Sequence, residues 1–68
     1  MAATKTTWKV FARAEKNGEF AEYDDVATVF TDGVPSSKYV VAAQLAQILQ
    51  HYPHLRGGTV SGTATRIN

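Results

Sequence analysis

The segment from Ser36 to Tyr52 reads SSKYVVAAQLAQILQHY, and it is the one part of this 68-residue chain with clear helical spacing. Its large apolar side chains recur every three or four residues and form one stripe of an α-helix: Val41, Leu45, Ile48, Leu49 and Tyr52. A serine before the helix, Ser36 or Ser37, is the natural N-cap because its oxygen accepts from a first-turn N–H. Pro53 has no N–H to donate, so the helix ends before it.

The opposite side of this helix carries no charge, since no Lys, Arg, Asp or Glu occurs between Lys38 and Arg56. Surface helices normally carry charges, whereas the cores of protein interfaces are depleted in them. Two interpretations stay open: an ordinary Ala/Gln-rich helix, or a helix face that docks on a partner. The residues of this candidate surface are Val40, Gln44 and Gln47.

Two strands are predicted before the helix. Residues 5–15 alternate between apolar and polar side chains, which is typical of a strand with one buried face. Asn17-Gly18 accepts the positive φ angles of a two-residue hairpin turn, so a second strand over residues 19–31 folds back on the first.

The turn fixes the strand register, and this register places Val10 opposite Asp25. A carboxylate would then lie on the core side of the sheet, so we expect a β-bulge at Asp24-Asp25 that shifts the rest of the strand by one residue. The bulge would turn Ala27 and Val29 outward. It would turn the alternate side chains inward: Val26, Thr28 and Phe30.

A third strand is predicted over residues 59–67, which alternate again after the Gly57-Gly58 loop. The helix returns the chain so that the third strand lies antiparallel beside the first, with a right-handed crossover. The expected fold is a single small α+β domain over residues 1–68, with ββαβ order, strand order 2-1-3 in an antiparallel or mixed sheet, and one helix on one face. Residues 1–4 are expected to be frayed. The predicted core is Trp8, Val10, Val26, Phe30, Val41, Leu45, Ile48, Leu49 and Val60.

Composition excludes several classes of protein. The chain has no cysteine, so it has no disulfide framework and no thiolate metal site. Its net charge of +1, with both signs mixed, is too small for a strong nucleic-acid footprint. The N-terminus has no apolar segment of the signal-peptide type and no stretch is long enough to span a membrane, so we expect a cytoplasmic protein without a membrane partner.

No arrangement of residues indicates catalysis. His51 and His54 are too few for a zinc site, and adjacent strand residues such as Asp24 and Asp25 point to opposite faces. Gly57-Gly58 precedes a strand rather than a helix, so it does not form a phosphate loop. We therefore predict that the protein is not an enzyme and has no cofactor and no metal.

The sheet face away from the helix has nothing in this short chain to cover it. The residues expected there combine cations with large apolar groups: Lys9, Phe11, Arg13, Phe20 and Val29. Apolar patches with charged rims typically mark protein interfaces, so the predicted function is a protein-binding module that binds another protein or itself. Small bacterial and bacteriophage accessory proteins that act on larger machines often have this size and element order. The alternative is a nucleic-acid-binding module in which bases stack on the aromatic rings.

Overall fold

The computed structural model describes residues 3–68. Its elements are β1 (Thr4–Lys16), β2 (Glu19–Thr31), α1 (Ser37–His51), a short 3₁₀ turn (Pro53–Leu55) and β3 (Thr59–Arg66). The strands form one sheet in the order β2-β1-β3, and both strand pairs are antiparallel. The predicted α+β fold, with its strand order and one helix packed on the sheet, is confirmed.

The N-terminal segment differs in part from the expectation of a frayed stretch over residues 1–4. Thr4 already pairs with Thr31 at the far end of β2. Residues 1 and 2 lie outside the described residues.

The turn between β1 and β2 has the predicted conformation. Asn17 and Gly18 both adopt positive φ, at 54° and 81°. The pairing that starts at Lys16 and Glu19 then continues without interruption to the other end of the two strands. A hairpin turn of this type therefore sets the facing of every side chain on β1 and β2.

The predicted bulge at Asp24-Asp25 is wrong, because Val10 pairs directly with Asp25. β2 is an edge strand, so the Asp25 side chain stays exposed to solvent although it starts from the helix side of the sheet. One carboxylate oxygen accepts a hydrogen bond from the backbone N–H of Val26 at 2.7 Å. Because the carboxylate keeps its contact with water and accepts this bond, its desolvation costs little free energy, and no bulge is needed.

Because the register is unbroken, the residues of β2 after Asp25 face the opposite side of the sheet from the one predicted. Ala27 and Val29 lie on the helix side and pack against Trp8 and its neighbours. The residues predicted to face the helix, Val26, Thr28 and Phe30, lie instead on the opposite face and are exposed, so Val26 and Phe30 are not in the core.

The core lies under α1 along the central strand. Its buried members on β1 are Thr6, Trp8, Val10, Ala12 and Ala14, and they are joined by Val40 and Ile48 of α1 and by Leu55 of the 3₁₀ turn. Thr6 is satisfied in this apolar setting because its hydroxyl accepts a hydrogen bond from the indole N–H of Trp8 at 2.9 Å.

The predicted core is correct for Trp8, Val10 and Ile48, whereas Val60 is exposed at the edge of the sheet. The helix residues Val41, Leu45 and Leu49 are only half-buried. The helix packs mainly over β1 and β3, so apolar side chains near the outer edges stay partly in water.

The helix begins as predicted, with the Ser36 hydroxyl accepting from the N–H of Tyr39 at 3.1 Å. Its orientation about its own axis differs from the expectation, because Val40 is buried between the helix and the sheet. Tyr52, expected on the buried stripe, is exposed. Trp8 and Val10 provide the apolar surface on which Val40 packs.

Close approach of the helix to β3 depends on Gly62. A Cβ atom at this position would lie 2.8 Å from Val41 Cγ1 and 2.6 Å from the carbonyl oxygen of Phe11. Both distances are shorter than carbon contacts allow, so any side chain there would push the helix or β1 away.

We therefore expect Gly62→Ala to lower the free energy of unfolding by roughly 1–3 kcal/mol. The matched control is Thr63→Ala, one residue further on and exposed on the other face, which should change stability by less than about 0.5 kcal/mol. Urea denaturation followed by tryptophan fluorescence measures both. Equal midpoints for the two variants would contradict the helix position.

The molecule is elongated, with principal extents of 42 × 21 × 15 Å. Its radius of gyration is 12.7 Å, against about 11 Å for a compact domain of this length. Its accessible surface of 4637 Å² exceeds the about 4,200 Å² expected for a globular chain of this mass. Within residues 3–68 no helix is both long and apolar enough to cross a membrane.

Candidate functional site

The sheet face opposite α1, here called the open face, is built by alternate residues of all three strands. Cross-strand pairing places six residues of β1 on this face: Lys5, Thr7, Lys9, Phe11, Arg13 and Glu15. β2 adds Phe20, Glu22, Asp24, Val26, Thr28 and Phe30, and β3 adds a polar row of Thr59, Ser61, Thr63 and Thr65.

Large apolar side chains are exposed along the β2 side of the open face. Phe20 is 56% exposed, Val26 48% and Phe30 66%. Phe11, at the centre of the sheet, is half-buried between its cross-strand neighbours Asp24 and Thr63. No element in residues 3–68 packs over these groups. A row of this kind is larger than the isolated exposed hydrophobics of ordinary surfaces.

Arg13 organises the end of the open face that is nearest the turn. Its guanidinium lies over the ring of Phe20, 4.1 Å from the centroid. The same group contacts Glu22 at 2.8 Å and Glu15 at 3.8 Å. Because these side chains are partly exposed, the ion pairs contribute little to stability. The stacking of the guanidinium on the ring adds a weak cation–π attraction.

The charges of the open face sum to zero and are separated along the strands. The cations are Lys5, Lys9 and Arg13, and the anions are Glu15, Glu22 and Asp24. The end far from the turn holds the two lysines, and neither forms an ion pair within the described residues. All three carboxylates lie in the half nearest the turn, so that half has a net charge of −2 and the other half +2.

Four of the five residues predicted for this face lie on it: Lys9, Phe11, Arg13 and Phe20. The placement of Val29 is wrong, because the unbroken register turns it to the helix side. The same register brings onto the face three residues that the predicted bulge would have turned inward: Val26, Thr28 and Phe30. Lys5 joins them by alternation along β1. Side-chain alternation, counted from the Asn17-Gly18 turn without a bulge, is the sequence signal that locates these residues.

The second predicted surface, on α1, is not a continuous exposed patch. Val40 is buried in the core, Gln44 is half-buried, and only Gln47 is exposed. The prediction of Val40 as a contact residue for a partner is therefore wrong.

The outer edge of β2 is closed at its middle. The hydroxyl of Tyr23 donates to the carbonyl oxygen of Val26 at 3.0 Å, and Asp25 accepts from the N–H of the same residue. Side chains of β2 thus occupy both backbone groups of Val26, which an added strand would need at this point of the edge. Charged residues and occupied backbone groups at an edge oppose strand addition, so the open face is the better candidate for docking.

The polar residues considered for chemistry do not converge. His51 is exposed at the end of α1, and His54 lies 3.6 Å from Glu19 near the turn. Asp24 and Asp25 are exposed on opposite faces of β2. Across residues 3–68 no group of three or more His, Asp or Glu side chains is placed to hold a metal ion.

Comparison of the chain with models of protein families, with curated proteins and with solved structures finds no significant match.

The facing of β2 can be tested by two aspartate substitutions at adjacent positions. Val29→Asp would place a carboxylate against Trp8, Val10 and Val40, and we expect it to lower the free energy of unfolding by roughly 1–3 kcal/mol. Phe30→Asp lies on the open face and should change stability by less than about 0.5 kcal/mol. Thermal unfolding followed by circular dichroism measures both. If Phe30→Asp lowered the free energy of unfolding more than Val29→Asp, β2 would have the bulged register after all.

Proposed function

We propose that this protein is a non-enzymatic protein-binding module and that the open face is its working surface. One observation carries the proposal: three large apolar side chains, Phe20, Val26 and Phe30, stand about half or more exposed on a single face. Exposing them to water costs free energy that a partner would recover by covering them. The cytoplasmic location predicted from the sequence accompanies this proposal.

The composition of the face fits an interface better than it fits a solvated surface. Aromatic residues and arginine are enriched in binding hot spots, and the face combines phenylalanines with Arg13. Phe11 lies near its centre and is flanked along β1 by Lys9 and Arg13. Because hot spots cluster at the centre of an interface, Phe11 is the expected anchor, with the threonines of β3 as part of a polar rim.

A single-stranded nucleic acid is the second candidate, because Phe11 between Lys9 and Arg13 resembles a base-stacking site with cations beside it. Two observations weigh against it. Arg13 is engaged by Phe20 and Glu22, and the charges of the face sum to zero. Binding to phosphates needs uncompensated cations, so a mobility shift that weakens steeply with salt would identify this alternative.

We expect Phe11→Ala to leave the fold intact and to weaken partner binding about 30-fold, which corresponds to about 2 kcal/mol. Phe30→Ala, at a more exposed position, provides a second variant should Phe11→Ala lose stability. The tagged protein is used to capture partners from a lysate of its own cells, and the affinity for each captured partner is then measured by calorimetry.

The control is Tyr39→Ala, which removes from the helix an aromatic ring that is 52% exposed, against 66% for Phe30. Circular dichroism verifies that each variant is folded. If both phenylalanine variants retain full affinity while Tyr39→Ala does not, the open face is not the working surface.

A further inference from the structure

We infer that the open face binds the same face of a second copy of this chain, so that two sheets pack into a symmetric dimer. The inference rests on the proposed function and names its partner. The two-fold axis would lie in the interface and run across the strands, at the level where Val10 pairs with Asp25. Face-to-face sheets with aligned strands are a common form of packing, about 10 Å apart.

The charge separation along the open face favours this particular symmetry. The half nearest the turn has a net charge of −2 and the far half +2. A two-fold axis across the strands places each half against the opposite half of the second copy. An axis along the strands would instead place like charges together, so electrostatic complementarity selects the first arrangement.

The side chains also match at the residue level. Lys5 and Glu15 lie at equal distances from Val10 along β1, on opposite sides of the axis. The two-fold rotation therefore brings Lys5 of one copy opposite Glu15 of the other. It brings Phe30 opposite Phe20, so the two most exposed aromatic rings of the face would cover each other. Because the two copies are related by a two-fold axis, each of these contacts occurs twice in the dimer.

At the centre of the face the residues of β1 match in the same way, whereas Val26 of β2 lies opposite Asp24 of the second copy. Lys9 of one copy lies opposite Phe11 of the other, and Asp24 is the cross-strand neighbour of that Phe11. An ammonium group above an aromatic ring with a carboxylate beside it is a favourable arrangement. The lysines that have no ion pair in the single chain would thus gain partners in the dimer.

The area of the face is adequate for a dimer of modest affinity. Two 13-residue strands and one 8-residue strand present a flat area of about 550 Å². β3 extends only from the level of Trp8 to the level of Glu15, so five of its residues overlap with β3 of the second copy. The two copies therefore bury about 1,000 Å² in total, which is below the standard size of about 1,200 Å² and at the threshold for a specific interface. We expect an equilibrium between monomer and dimer rather than an obligate dimer.

The experiment is a charge exchange across the proposed interface, followed by sedimentation equilibrium over a wide range of protein concentration. Lys5→Glu alone and Glu15→Lys alone each place like charges opposite each other twice, and each should weaken dimerisation about tenfold. An equimolar mixture of the two variants should form a heterodimer at least as tight as the wild-type dimer. In that mixture, both contacts again join opposite charges.

The matched control is Lys38→Glu, an exposed charge reversal on the helix that should leave dimerisation unchanged. A wild-type protein that is monomeric at every concentration would overturn the inference. So would a dimer that both reversals leave intact, or a mixture that fails to recover affinity. A monomeric protein would leave the protein-binding proposal to be decided by capture with Phe11→Ala, so the two failures are distinguishable.

Discussion

The pairing of β1 with β2 is the constraint on which the rest of the structure depends. A two-residue turn with positive φ at Asn17 and Gly18 closes the hairpin, and the register then continues over the full length of both strands. Because side chains alternate strictly along a strand, this one turn decides which residues form the core and which form the open face. A shift of one residue in β2 would turn Phe30 to the helix side and Val29 to the open face.

The helix has a narrower role than its length suggests. It covers β1 and part of β3, and the small residues Ala12, Ala14 and Gly62 allow it to lie close to the sheet. A single helix cannot also cover the outer strand or the second face. The result is an elongated molecule with more surface than its mass requires, and the excess includes the phenylalanines and Val26 of the open face.

Asp25 shows how an edge strand relaxes the rules that hold in the core. A carboxylate on the helix side of a central strand would be buried at a high desolvation cost. At the edge, the same carboxylate reaches solvent and accepts from the N–H of Val26, while Tyr23 donates to the carbonyl of that residue. These bonds also occupy the backbone groups at the middle of the β2 edge, which opposes the addition of a strand there.

The sequence by itself determined the strands and the helix, their order, the turn, a helix start at one of two serines, and the facing of Lys9, Phe11, Arg13 and Phe20, because these follow from local conformational preferences and from side-chain alternation. Hydrophobicity along the chain did not determine how far the helix extends across the sheet, so it could not show that Val26, Phe30 and Val60 stay exposed while Val40 is buried. Nor did it show that β2 tolerates Asp25 without a bulge. Burial depends on which strand is central and on what packs above it, and only the tertiary structure decides that.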